Sequence, residues 1–532
     1  MKSLISSVAK NKIFILFNLL YAGFFVFSVF NDIKTFRIDT ADAKHILNYI
    51  IVKFLFLVTC ALTEIYVIYR HKNTPSDERR HFYFIFLSLL IFYLIAFMAY
   101  FPGNYNNVDE IKILQDVLNL EFRSTQSIIM SLIYYFGLMI VPKAFSVVLI
   151  QIILSSYFIA CVFADLYSKL KNKKIIILFF LLFFSIPSVY FVLFPLRAWI
   201  FTIVFLLFLY RVFALIRFSK TPTRYDLLFL CISLSLLCLI RTEIKFLLFI
   251  FPFIVFYLYK NRNKVRSIVI KAEAFVLCLV MIFSFCQSFI GGSISKGHRL
   301  EPFITSISIM AAKGRIPEDD LKILDKVVPV DDLIKYSSPE RPFEYKSSAR
   351  SDDEFTNAEY IDALGVIIKS IIKHPMEFLK SKIIMFVHST GMEKYYVNLP
   401  ADENAIAAMY ERYNLDKEDI EKYYTPFSPL REKLSSLLMG GYYFFDFYCI
   451  FWAFWVPVFL ILISALIMFF KDKVKFKPYL IVYILLLMEL ALVFLFAPAS
   501  FQMYYFPFYL IGWFFIILCA VDKEKASGLI RT

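Results

Sequence analysis

Apolar and polar positions alternate along this chain in long blocks rather than in helix-sized stripes. Twelve apolar stretches occur, at about 13–30, 47–69, 82–101, 144–165, 175–194, 198–217, 225–241, 244–260, 267–290, 442–470, 478–498 and 504–521. About 20 apolar residues are needed to cross the roughly 30 Å of hydrocarbon in a bilayer. Within lipid a spanning segment has to be helical, because only a helix satisfies its own backbone there. The pattern therefore predicts an all-α polytopic membrane protein of about 12 spans.

The polar blocks between the spans set its orientation. Lys2, Lys10 and Lys12 precede the first span. Basic clusters then follow every even-numbered span, at Arg70–Arg80, Lys169–Lys174, Arg211–Arg224, Lys260–Arg266, Lys471–Lys477 and Lys523–Arg531. Positive charge in short loops marks the cytoplasmic side, so both termini are expected there. Residues 125–141 are apolar enough for a further span, but counting them would invert every later cluster. They are read as a helix lying along the outer membrane surface.

Three parts follow: an N-terminal membrane module at 1–290, an outer helical domain at 291–440, and C-terminal spans at 441–532. The module contains a first outer loop at 102–124. In the outer domain the apolar positions have helical spacing. Helices are expected from Pro317 onward, from an Asn357 N-cap to about Lys373, after Pro375 to about Ser389, and over Asp402–Tyr424.

Composition agrees: 60% of the 532 residues are hydrophobic, which excludes an ordinary soluble protein. The net charge of +14 is mostly these inner clusters and points to anionic membrane lipid rather than nucleic acid. All eight cysteines fall in spans, so neither a disulfide framework nor a cysteine metal site is implied. No Walker A motif, Gly-rich loop or HExxH is present.

Candidate chemistry gathers at the outer ends of spans. In FPGNYNNVDEIKILQDVLNLEF the adjacent acids Asp109 and Glu110 start an amphipathic helix just after the Pro102-Gly103 turn. Ile111, Leu114, Val117 and Leu118 share one face; Asp109, Lys112, Asp116 and Asn119 share the other. A carboxylate held there is suited to general-base work, although acids at a helix start also serve simply as caps and dipole partners. Arg197 (FPLRAW) and Arg241 (IRTEIK) are placed to grip a lipid phosphate with a planar fork of donors; the alternative is snorkelling to headgroups. Glu243 is either a substrate contact or the partner of Arg241. His298 and Arg299 follow the ninth span, and Tyr105, Gln115 and Tyr504 are further substrate-binding candidates. Lys53, Glu64 and Glu489 lie within spans, where a charge has to face a partner or a cavity.

Several of these stretches resemble the membrane-embedded C-type glycosyltransferases, especially bacterial members that use polyprenyl-phosphate sugars. The resemblance lies in short scattered motifs: Pro102-Gly103 with Asp109, TQSIIMSLIYYFG, IRTEIKFLLFIFPF, IKHPMEFLKSKIIMF and FQMYYFPFY. The sequence departs from the family at Thr125-Gln126, where His-Pro is usual, and at Met503, where Arg is common. No acid follows the fifth span; Pro195-Leu196-Arg197 stands there.

The resemblance implies transfer, with inversion, of a sugar from a polyprenyl phosphate (undecaprenyl phosphate in bacteria) to a periplasmic glycan or lipid-linked glycan acceptor, such as O-antigen of lipopolysaccharide. Asp109, or Glu110, would take the acceptor's proton, while Arg241, Arg197 and Arg299, with His298, would hold the phosphate. The bacterial inner membrane is the implied location. No cofactor is called for; a divalent cation is compatible with this chemistry but not required by it. The other classes are a polysaccharide polymerase or ligase and a flippase, the latter disfavoured by few mid-span charges and only 13 glycines.

Overall fold

The computed structural model describes residue 28 and residues 31–38, 42–105, 108–122, 126–169, 173–218, 222–291, 296–335, 337–338, 354–393, 452–471 and 473–514. These residues form helices and no strand. Numbered in chain order from Ala43, the helices are α1 (Ala43–Asn73), α2 (Ser76–Ala99), α3 (Val108–Leu118), α4 (Ile128–Ile140), α5 (Phe145–Lys169), α6 (Lys173–Leu181), α7 (Ile186–Val192), α8 (Arg197–Arg217), α9 (Arg224–Ile240), α10 (Leu247–Tyr259), α11 (Val265–Gly291), α12 (Lys296–Ala312), α13 (Glu318–Asp325), α14 (Val330–Lys335), α15 (Asn357–Lys373), α16 (Pro375–Ser389), α17 (Trp455–Lys471) and α18 (Lys473–Phe496).

Six of them, α1, α2, α5, α8, α11 and α18, are long and apolar enough to cross a membrane. Only 17% of the apolar window of α1 and of α11 is buried within the protein, against 83% for α8. Helices that apolar and that uncovered are stable in lipid rather than in water. The protein is therefore a helical membrane protein.

Where the expected spans differ from the observed helices, local chemistry supplies the reason. The stretch 175–194 is not one helix: α6 ends in a 3-10 turn at Leu182–Phe184, and α7 begins with Pro187 in its first turn. Proline has no N–H to continue the ladder, and the Ser188 hydroxyl donates instead to the Leu182 carbonyl at 2.8 Å. The stretch 244–260 opens with a 3-10 turn at Glu243–Phe246 and leaves α10 only 13 residues, with Pro252 inside. Helix α4, also 13 residues, is about 20 Å long, too short to span. It is buried at ten positions from Ile128 to Met139.

The chain forms two compact units, with a division at Ile203/Val204 inside α8. The first unit holds α1 to α7, the start of α8 and residues 283–292. There α2 packs along α5, α4 against α5, and α3 against α4. A buried ion pair joins Lys53 of α1 to Asp32, which also accepts from the Tyr49 hydroxyl at 2.9 Å. That is the partner a charge in a span requires.

The second unit holds the rest of α8, α9, α10, most of α11 and α12 to α18. Helices α12 to α16 enclose their own core, in which Leu300, Ile304, Ile307, Met310, Leu324, Leu333, Ala363 and Ile367 are buried. Helix α13 starts after Pro317, as its acidic first turn predicts. The N-cap of α15 is Thr356, one residue before the expected Asn357, because Thr356 and Glu359 complete a reciprocal capping box. The expected helix at Asp402–Tyr424 lies outside the described residues. Helix α16 docks on α17 and α18 through Phe386, whose ring meets Phe459, Phe494 and Tyr505 edge-on. At its end Gly391 has φ +74, and a Cβ there would lie 2.2 Å from the Trp452 carbonyl oxygen, so only glycine lets the two backbones meet.

Candidate active site

The acid pair is set up by the turn after α2. The Gly103 N–H donates to the Tyr100 carbonyl at 2.8 Å, and the Asn104 N–H to the Leu193 carbonyl at 2.8 Å. Gly103 has φ +112, and a Cβ there would lie 2.6 Å from Val148 Cγ2 and 3.2 Å from the Leu193 carbonyl oxygen. Glycine is thus needed both for the backbone conformation and for the close approach. Two residues on, the Tyr105 hydroxyl donates to the Ala144 carbonyl at 2.6 Å, and its ring meets Tyr134 edge-on with centroids 6.4 Å apart. The Tyr134 hydroxyl donates in turn to the Pro195 carbonyl at 3.0 Å.

Helix α3 then presents its acids over this layer. Ile111, Ile113, Leu114, Val117 and Leu118 are buried, and so is Glu110, which is 0% exposed. Asp109 is half-buried. Both carboxyls act electrostatically on the Tyr134 phenol, and Glu110 also on Tyr190, which is hydrogen-bonded to Asn104. The two neighbouring acids therefore have different capacities. Asp109 keeps surface that an incoming molecule can meet, whereas Glu110 has none.

The loop before Arg197 belongs to the same layer. Gln151 of α5 donates its side-chain amide to the carbonyls of Phe191, Val192 and Phe194 at 3.2, 3.0 and 3.0 Å. Trp199 is held by the Ser155 hydroxyl. Arg197, half-buried at the first residue of α8, lies two positions after the carbonyl that Tyr134 grips. Gln115 is half-buried on α3. The first unit thus gathers Asp109, Glu110, Tyr105 and the Arg197 turn in one region.

A separate polar cluster lies in the second unit. The run Arg241-Thr242-Glu243 stops α9, and the Arg241 N–H closes the helix on the Leu237 carbonyl at 3.0 Å. Its side chain turns inward: Arg241 is 3% exposed, its Nε lies 4.0 Å from Glu243 Oε2, and its guanidinium carbon lies 5.3 Å over the Tyr504 ring. Phe501 stacks near Tyr504 with 18° between ring planes. Glu489 of α18 is 0% exposed and acts electrostatically on both Arg241 and Glu243. Among the described residues neither Glu489 oxygen has a hydrogen-bond partner. Arg241, Glu243 and Tyr504 are thereby brought together, and Glu489 joins them. Arg299 stands exposed on α12, and nothing is described of the His298 side chain.

One buried cation was not legible as such. Lys382 of α16 is 1% exposed and donates to the carbonyls of Pro302 and Ala497 at 2.8 and 3.0 Å. Burial pushes its ammonium down to about 7. Tyr134, Tyr190 and Gln151 carry no signal beyond a polar group inside an apolar run, and Asn104 is one polar residue among several in the first outer loop. Among the described residues no three His, Cys, Asp or Glu side chains are grouped to hold a metal ion. Comparison with protein-family models, with curated proteins and with solved structures finds no match.

Proposed function

We propose that the protein is a membrane-embedded glycosyltransferase that moves a sugar from a polyprenyl phosphate to a hydroxyl acceptor on the outer face of a bacterial inner membrane. The observation that carries this reading is the half-buried Asp109 standing beside a fully buried acid, on a short helix directly after a membrane-spanning helix. A general base has to meet the hydroxyl it deprotonates, and of the two acids only Asp109 has surface for that contact.

In the proposed step the acceptor hydroxyl gives its proton to the Asp109 carboxylate. The freed oxygen forms a bond to the sugar's anomeric carbon, and the bond from that carbon to the phosphate oxygen breaks. The electron pair leaves with the polyprenyl phosphate, and the configuration inverts. Arg197, at the turn that Tyr134 and Gln151 hold, is assigned to the departing phosphate, where a charge-assisted fork offsets the developing charge. Arg241, in the second unit, is assigned to a lipid phosphate. O-antigen or another surface polysaccharide is the acceptor class in keeping with this chemistry.

The test is transfer by the purified protein from a panel of radiolabelled polyprenyl-phosphate sugars to a glycan acceptor, with Asp109→Asn alongside. Transfer by the parent and none by the variant supports the reading. Full activity of Asp109→Asn removes Asp109 from the mechanism, and transfer from no donor in the panel counts against the reaction class.

A further inference from the structure

We propose that Glu489 is a ligand-binding residue, forming with Arg241 a site for a lipid head that carries a phosphate and, beside it, free hydroxyl groups. This deepens the reading above and rests on its assignment of Arg241 to a lipid phosphate. Glu489 lies seven residues before Phe496, the last residue of α18, so it sits about 10 Å from that end of the helix. A carboxyl there is not solvated, and the structure leaves it with no exposed surface.

A structural counter-ion does not account for this carboxyl. An arginine and a carboxylate that exist to neutralise one another frequently adopt a bidentate fork with short parallel hydrogen bonds. Glu489 interacts with Arg241 only at longer range, and among the described residues neither of its oxygens accepts a hydrogen bond. Arg241 makes an ion-pair contact with Glu243 at 4.0 Å, and its flat face lies against Tyr504. Glu489 also acts electrostatically on Cys238 of α9. Buried polar atoms are nearly always satisfied in a folded protein, and a buried carboxyl left open within electrostatic reach of Arg241 calls for a ligand.

A head bearing hydroxyls meets that need. A hydroxyl both donates and accepts, so it satisfies a carboxyl in either protonation state. The planar guanidinium suits a phosphate oxygen pair. Two sources offer this chemistry: a polyprenyl-phosphate sugar, and a bilayer phospholipid with a hydroxylated head such as phosphatidylglycerol.

The test compares binding of three lipids to the purified full-length protein in detergent, by native mass spectrometry. They are a polyprenyl-phosphate hexose, the methyl phosphodiester of the same polyprenol, which keeps the charge but lacks hydroxyls, and phosphatidylglycerol. The parent protein is expected to favour a hydroxylated head over the methyl diester by about tenfold, the worth of a hydrogen bond to a carboxylate. Glu489→Gln should bind the methyl diester as the parent does and lose most of that preference; Arg241→Ala should lose both polyprenyl lipids. Preference for the hexose identifies the donor as the source, and preference for phosphatidylglycerol identifies the bilayer.

An unchanged preference in Glu489→Gln overturns the proposal, as does an equal loss of the methyl diester. Should Glu489→Gln fail to fold, Glu489→Asp, whose carboxyl is withdrawn by one methylene, replaces it; an undiminished preference there overturns the proposal. Failure of the parent to bind either polyprenyl lipid instead removes the assignment of Arg241 to a polyprenyl phosphate.

Discussion

The guanidinium carbon of Arg241 lies 5.3 Å over the ring of Tyr504. One residue ends helix α9, and the other closes a 3-10 turn after α18. A cation held against an aromatic face is fixed in direction as well as in charge, so the guanidinium edge is oriented before any anion arrives.

Removing that orientation should weaken phosphate binding. Arg241→Ala is expected to reduce polyprenyl-phosphate affinity by about tenfold to a hundredfold. Arg241→Lys should recover little, because an ammonium lacks the planar fork. Tyr504→Leu should have a smaller effect in the same direction. Equilibrium binding of radiolabelled polyprenyl phosphate to the purified variants checks all three, and full binding by Arg241→Lys would show that charge alone suffices.

At the acid pair the two carboxyls should separate by assay. Asp109→Asn is expected to lower transfer by about a thousandfold, within the range general-base removal costs, while abundance and thermal stability stay as in the parent. Glu110→Gln alters a side chain with no exposed surface and should shift the melting temperature. Transfer rates and melting curves on the same preparations discriminate the two roles.

Gly103 offers a purely structural test. With φ +112 and Val148 Cγ2 only 2.6 Å from where a Cβ would stand, Gly103→Ala combines backbone strain with a clash. A loss of about 1–3 kcal/mol is expected from the strain alone, read as a lower melting temperature in detergent. An unchanged melting temperature would mean the turn rearranges.

Lys382 should make stability depend on pH. Its ammonium is pushed down to about 7 by burial, so the unfolded chain holds this proton through a window in which the folded protein has released it. Stability therefore rises with pH from about 7 towards the ordinary lysine range, and the penalty of the buried charge is fully present below that window. Relative to Lys382→Met, the parent should gain up to about 1.4 kcal/mol per pH unit across it. Melting curves of both proteins between pH 6 and 10 test the sign, and parallel curves would refute it.

The Lys53–Asp32 pair should behave as a buried unit. Removing either charge alone leaves the other uncompensated, at a cost of about 3–5 kcal/mol. The double substitution Asp32→Leu with Lys53→Leu should cost less than the sum of the single ones. A double-mutant cycle on melting temperatures measures the coupling.

Much of this was legible in one dimension. Long apolar runs predict α1, α2, α5, α8, α11 and α18 because lipid leaves the backbone no alternative to a helix. The amphipathic face of α3 is visible at Ile111, Leu114, Val117 and Leu118, and all four are buried. Pro317 and Pro375 mark the starts of α13 and α16, since proline is best tolerated where a helix begins. Arg241 and Glu243 stand two residues apart, so their proximity follows from order alone.

Tertiary structure decided what lies far apart in the chain but close in space. Only packing shows that Tyr504 meets Arg241 with Glu489 in electrostatic reach, that Tyr134 grips the turn before Arg197, or that Lys382 bonds to the carbonyls of Pro302 and Ala497. Likewise the contrast between Asp109 and Glu110 is invisible to composition, because helical rotation turns adjacent residues about 100° apart and only the neighbouring helices determine which direction is covered. Periodicity is a local property of the backbone, whereas burial and pairing depend on which distant groups arrive, and that is set by how the helices pack.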